Sequence, residues 1–131
     1  MPDETIRKTR DIKIAKQDAE LRVVYGIVYE PNTADSDGDW ASVETIQRAA
    51  HGFLREYGYI GVEHDNQQVI EKAQDISVVE SFLFPFDGIL GEQQITKGTW
   101  ILGAKILNDF IWEQIQKGEL TGFSMHGEAV V

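Results

Sequence analysis

From Val23 to Tyr29 the chain reads Val-Val-Tyr-Gly-Ile-Val-Tyr, β-branched and aromatic residues around one glycine. Such residues fit a pleated, half-buried backbone, so this run, entered from Leu21, predicts a strand. Residues 1–20 before it are polar and charge-mixed. Only Ile12 and Ile14 alternate with polar neighbours there, which fits a short edge strand or a flexible arm equally. After it, Pro31 to Asp39 gathers turn formers without apolar periodicity and reads as a loop. The period then changes. Val43, Ile46, Ala50, Phe53, Leu54 and Tyr57 recur at spacings of three and four, which predicts an amphipathic helix capped by Asp39 or Ser42 and stopped near Gly58.

Tyr59 to His64 predicts a short strand that delivers His64 to its end, and Asp65-Asn66-Gln67-Gln68 turns the chain. Alternation returns from Asp75 to Phe84, where period two puts Ile76, Val78, Glu80, Phe82 and Phe84 on one face. Glu80 is thereby expected on an apolar stripe. Pro85 ends this strand, and Asp87-Gly88 with Gly91 shapes a hairpin-like loop. Thr99 to Leu107 predicts a third long strand. It leads into a helix opened by Asn108 or Asp109, carrying Phe110, Ile111 and Ile115, and closed by Lys117-Gly118. Thr121 to Val131 is the final strand. Strands interrupted by two unevenly spaced helices predict an α+β domain on a mainly antiparallel sheet or small barrel rather than regular βαβ units. Residues 21–131 show no repeat, low-complexity tract or linker and read as a single domain behind the arm 1–20.

Composition narrows the chemistry. Twelve Lys and Arg stand against 22 Asp and Glu, a formal charge of -10, which disfavours a phosphate-binding surface and hence nucleic-acid partners. No apolar run approaches the roughly 18 residues that a membrane helix needs, and no apolar stretch follows the first basic residues as in a signal peptide. A soluble intracellular protein is expected. The absence of cysteine removes disulfides, thiol nucleophiles and thiolate metal sites, so serine, threonine or carboxylates must supply any covalent chemistry.

Ser124 is the candidate nucleophile, in the glycine-flanked apolar stretch Thr121-Gly122-Phe123-Ser124-Met125-His126-Gly127. A serine hydroxyl needs a base within hydrogen-bond reach, normally an imidazole held by a third group. Of the three histidines, His64 stands at a strand end beside Asp65, where an imidazole can line a cleft. His51 falls within the first helix and reads as a surface or boundary residue. His126 is two residues from Ser124 and is either a third member of the site or a surface residue. Glu80 enters because a carboxylate on an apolar face costs free energy unless it is paired, and His64 would pair it. Each feature also has a plainer explanation: Gly-x-Ser-x-x-Gly stretches serve turns, strand-end histidines are often structural, and Glu80 could bond a lysine or arginine or face water. The segment lacks the Gly-x-Ser-x-Gly elbow of α/β-hydrolases. Asp35, Asp37 and Asp39 suggest calcium, but an EF-hand loop from Asp35 would put Trp40 at its glycine position and Ile46 at its glutamate position.

The ordered succession Val24-Tyr25-Gly26-Ile27-Val28-Tyr29-Glu30-Pro31, Asp35-Ser36-Asp37-Gly38-Asp39, Ala49-Ala50-His51-Gly52-Phe53-Leu54, Glu63-His64-Asp65, Val78-Val79-Glu80-Ser81, Lys97-Gly98-Thr99-Trp100 and Thr121-Gly122-Phe123-Ser124 resembles the XkdF-like family of phage serine proteases. These are relatives of the prohead, or capsid maturation, proteases. The resemblance covers about residues 22–128. It implies a herpesvirus-assemblin-like barrel with packed helices, and an endopeptidase that cleaves scaffold and capsid proteins inside the immature head in the host cytoplasm. A homo-oligomer is compatible with it. His64 matches the family histidine and Ser124 the family serine. Glu80 lies in the family's Val-Val-Glu-Ser segment, its catalytic role resting on the apolar stripe, with Asp65 and His126 as the other groups that could orient the imidazole. Such a site uses no metal or organic cofactor. The alternative is the same fold without catalysis, as a structural or assembly module of the phage particle.

Overall fold

The computed structural model describes residues 5–7, 10–33, 40–57, 60–62, 76–125 and 128–130. Among these described residues, ten strands and two α-helices follow one another in the order expected of an α+β chain. They are β1 (Thr5–Arg7), β2 (Arg10–Asp18), β3 (Val23–Tyr29), α1 (Val43–Gly52), β4 (Ile60–Val62), β5 (Ile76–Leu83), β6 (Gly88–Leu90), β7 (Gln93–Ile95), β8 (Trp100–Ile106), α2 (Asp109–Gln116), β9 (Gly122–Met125) and β10 (Glu128–Val130). Among these described helices none is long and apolar enough to cross a membrane.

Six strands form one sheet in the order β4-β9-β2-β3-β8-β5, with every neighbouring pair antiparallel. The sheet curls into a half-barrel, so that its two edge strands, β4 and β5, come within 8 Å of each other between Cα atoms. Three bulges tighten the curl. Ala15 of β2, Val28 of β3 and Val79 of β5 are each an extra residue against the partner strand, and a bulge bends its strand and increases local twist. Two ribbons stand outside this sheet: β1 pairs with β10, and β6 with β7. The β6–β7 hairpin turns at Gly91-Glu92, with φ +64 at Gly91, the glycine-first arrangement of a two-residue loop.

The main core lies between the sheet and the two helices. Ile46, Ala49, Ala50 and Phe53 from the α1 side and Ile111 and Ile115 from α2 pack there with Val24, Trp100, Leu102, Ala104 and Phe123 from the strands. A smaller cluster, Leu90, Ile95 and Ile101 with Ala15, Tyr25, Ile27, Phe82 and Phe84, occupies the other face under the β6–β7 hairpin. Strand β8 contributes to both, which is why its sequence is almost continuously apolar.

The caps follow side-chain chemistry. Ser42 accepts from the Thr45 amide at 3.3 Å to open α1, and Asn108 accepts from the Ile111 amide at 3.0 Å to open α2. Gly118, with φ +77, lies just past α2. Past Gly52 the first helix widens into one π turn, Phe53–Tyr57.

Three expectations change. Strand β2 is an interior strand, bonded to β3 on one side and β9 on the other, with Ile12 buried. Its lysines occupy exposed positions while alternate residues face the core, a pattern that an edge strand shares. Val43 and Leu54 are exposed, because two alanines bring the buried stripe of α1 close to the sheet and Ile46, Ala49, Ala50 and Phe53 fill that contact. Finally, the tail divides into β9 and β10, which belong to different sheets.

Candidate active site

Ser124 is the third residue of β9, a strand inserted between β2 and β4. Its backbone pairs with Asp11 on one side and with Gly61 on the other. The preceding Phe123, almost wholly buried in the main core, anchors the strand. His64 lies outside the described residues, as do Asp65, His126 and the aspartates 35, 37 and 39 of the acidic loop. Strand β4, which ends two residues before His64, is described. Ile60, Gly61 and Val62 stand opposite Met125, Ser124 and Phe123. The serine strand and the strand that leads to the histidine are therefore direct neighbours, although about sixty residues separate them along the chain. His51 is an exposed residue of the last turn of α1.

Glu80 does not share a face with Ile76 and Val78. The Val79 bulge shifts the register, pairing Val78 with Ala104 but Glu80 with Gly103. Ile76, Val78 and, after the bulge, Leu83 belong to the main core, whereas Phe82 and Phe84 pack in the smaller cluster on the opposite face. Glu80 is on that second face and is exposed. The burial cost that would have required a histidine partner is consequently absent. Its carboxylate instead accepts a hydrogen bond from the Tyr25 phenol.

Gly103 makes that contact feasible. Tyr25, Gly103 and Glu80 occupy equivalent positions on three successive strands, β3, β8 and β5. A Cβ on Gly103 would lie 3.0 Å from Glu80 Oε1 and 3.0 Å from Tyr25 Cε1, so the missing side chain is the space in which the two meet. Partial burial, first, and the negative Glu80 beside it raise the Tyr25 pKa above 10.0. In this position the Glu80 carboxylate leans over β8 toward β3, to the side away from β4.

The neighbouring Ser81 points the other way. Its hydroxyl donates to the Ala50 carbonyl at 2.8 Å and accepts from Trp100 Nε1 at 2.9 Å, all buried. Ala50 lies three residues before the π turn, so this bond ties the end of α1 to β5. Two stretches that looked motif-like in sequence, Val78 to Ser81 and Lys97 to Trp100, thus meet in a structural hydrogen bond. Sequence reasoning singled out neither this bond nor Tyr25. A glycine in a strand of large residues, Gly103, is the one local signal that side chains from both neighbours converge there.

An open depression runs beside Glu80, Ser81 and Phe82 at the β5 edge, and another lies beside Asp109, Phe110, Trp112, Glu113 and Gln116 on α2. At the latter, Arg22 reaches from the β2–β3 turn to bond Asp109 at 2.8 Å and to sit 5.4 Å from the Trp112 ring centroid. Those contacts fasten α2 to the sheet.

Comparison with known proteins places these positions in context. The family model described as "Putative phage serine protease XkdF" matches residues 11–131. The chain is 43% identical over 125 residues to the Phage-like element PBSX protein XkdF of Bacillus subtilis (strain 168), an alignment covering 95% of this chain and 43% of that protein. It is 44% identical over 116 residues to the Uncharacterized protein YqbD of the same strain, covering 88% of this chain and 34% of that protein. It spans less than half the length of both relatives. No solved structure matches significantly.

Proposed function

We propose that this chain, which belongs to the family described as "Putative phage serine protease XkdF", is the catalytic domain of a phage serine endopeptidase with Ser124 as nucleophile and His64 as base. One observation carries the reading: Gly61 of β4 is the register partner of Ser124 on β9. Only Glu63 separates Val62 from His64, and two covalent steps keep the His64 Cα within about 8 Å of that of Val62. An imidazole on such a tether can reach the neighbouring strand.

In the reaction, Ser124 Oγ adds to the scissile carbonyl while His64 takes its proton, then returns that proton to the departing amine. Water repeats the sequence on the acyl-enzyme, releasing the acid and restoring Ser124. Backbone N–H groups near Ser124 are the natural donors to the oxyanion. The group that orients His64 is drawn from Glu80, Asp65 and His126. Glu80 would have to release Tyr25 and swing toward β4 to do this, whereas Asp65 is adjacent to His64 in the chain. The substrates we propose are scaffold and capsid proteins cleaved within the prohead, in the host cytoplasm, and the half-barrel is our reason for placing the fold near the herpesvirus assemblins.

A fluorophosphonate probe tests this directly. Labelling of the wild-type chain that disappears in Ser124→Ala and falls strongly in His64→Ala supports the protease. Undiminished labelling in Ser124→Ala removes Ser124 as nucleophile. No labelling at all, in a folded chain, favours the alternative of a non-catalytic assembly module.

A further inference from the structure

Strand β5 ends the six-stranded sheet, and its hydrogen-bond phase can be read from its C-terminal end. The Phe84 amide donates to the Thr99 carbonyl at 2.8 Å, and the Phe84 carbonyl accepts from the Gly98 amide at 2.9 Å. Phe84 therefore bonds inward, toward β8. In an antiparallel pair the bonded and non-bonded positions alternate, so Phe82 and Glu80, which continue the same register opposite Ile101 and Gly103, also bond inward. Ser81 and Leu83 between them turn their backbone N–H and C=O groups to the outer edge. Among the described residues no strand bonds that edge, since β4, three residues long, is bonded to β9. The open depression beside Glu80, Ser81 and Phe82 lies along the same stretch.

We infer that the β5 edge at Ser81 and Leu83 is a docking site for an extended peptide, added to the sheet as a further strand and carrying a basic residue beside Glu80. The backbone groups would supply register, as in other cases of strand addition. The charge preference follows from a chain whose formal charge is -10 and from exposed Glu80, whose flexible side chain would turn from Tyr25 toward a basic residue on the added strand. Half-buried Phe82, next on that face, favours an apolar residue two positions from the basic one. The inner face is closed by the main core, so side chains pointing that way should be small. Naming the peptide as a substrate segment rests on the endopeptidase reading, but docking itself does not, since it uses no catalytic step.

The experiment uses the full chain carrying Ser124→Ala, so cleavage plays no part. Hydrogen exchange on the free chain comes first: the Ser81 and Leu83 amides should exchange faster than those of Glu80 and Phe82, and protection of Ser81 and Leu83 would show the edge already covered and overturn the proposal. The probe is a fluorescein-labelled Ala-Lys-Ala-Val-Ala-Lys-Ala-Val peptide, compared with the same peptide carrying Glu in place of Lys and with the lysine peptide N-methylated at alternate residues. The expected result is about tenfold tighter binding of the lysine peptide than of the other two, with new protection of Ser81 and Leu83. Glu80→Lys should reverse the charge preference. Leu83→Pro should weaken binding, and it spares the sheet ladder because that N–H points outward. Equal binding of the N-methylated peptide, or a preference unchanged by Glu80→Lys, would overturn the proposal. So would absence of binding, leaving Glu80 and the Val79 bulge as devices that protect an exposed edge from aggregation. If fluorophosphonate labelling fails while this docking is observed, only the endopeptidase reading falls.

Discussion

Trp100 donates its indole N–H to the Ser81 hydroxyl at 2.9 Å, and the Ser81 O–H in turn donates a hydrogen bond to the Ala50 carbonyl at 2.8 Å. One side chain thus satisfies two buried polar groups and ties the end of α1 to strands β5 and β8. Phe53 packs edge-on against the same indole, with ring centroids 6.1 Å apart. Ser81→Ala removes an acceptor and a donor at once, leaving the Trp100 N–H without its partner in the core. The expected loss is about 2–4 kcal/mol, read by urea denaturation. Trp100→Phe, which removes the donor but keeps an aromatic ring, leaves a smaller void and should also destabilise, by about 1–3 kcal/mol.

Tyr25 makes stability depend on pH at the alkaline end. Its phenol has a raised pKa in the folded chain, so on titration the unfolded chain loses this proton first. A raised folded pKa contributes stability that is complete below the unfolded value, near 10.0, and is lost as pH rises through the folded value. Lys16, the register partner of Tyr25, and Asp18, also on β2, are its charged neighbours on that side, with Glu80 on the other. Denaturation midpoints measured from pH 8 to 11 should fall with a component that Tyr25→Phe removes. The same component should shrink in Glu80→Gln.

Gly103→Ala tests the space over β8. The new methyl would sit 3.0 Å from both the Glu80 carboxylate and the Tyr25 ring. Glu80 is the exposed end of a flexible side chain and can move, so the fold should survive with a loss of about 1 kcal/mol or less, partly offset by the lower chain entropy of alanine. The diagnostic change is spectroscopic: the Tyr25 phenol should titrate closer to its ordinary value. Gly26→Ala should behave differently. Its methyl would overlap the Ile12 side chain and press on the Lys13 carbonyl, with β2 backbone unable to yield. We expect a fold too unstable to purify, or a midpoint lowered by more than about 3 kcal/mol.

Orientation of His64 can be assigned by comparing Glu80→Gln, Asp65→Asn and His126→Ala in a peptide-cleavage assay. Loss of the group that holds the correct tautomer costs on the order of 10⁴ in kcat, whereas a bystander at the rim should cost less than about tenfold. A large effect of Glu80→Gln would mean that its carboxylate leaves Tyr25 when substrate binds. In that case Tyr25→Phe, which frees the carboxylate, should raise rather than lower kcat.

Much of the architecture was legible from local patterning. Ser42 and Asn108 as helix caps, Gly118 as a stop, and the strands β3, β5 and β8 follow from side chains that act within a few residues of themselves. Ser124 was legible as a strand residue for the same reason, although what it stands beside was not. The sequence by itself therefore determined an α+β chain with these elements in this order, because periodicity records which side of an element is apolar. Only the tertiary structure decided that β2 is interior, that Val79 is an extra residue which turns Glu80 away from Ile76 and Val78, and that β4 and β9 are neighbours. A bulge is defined by the register of the partner strand, and a pairing by the curl of the whole sheet. Neither leaves a trace in the alternation of a single segment, since shifting the register by one residue exchanges the faces without changing one letter of the sequence.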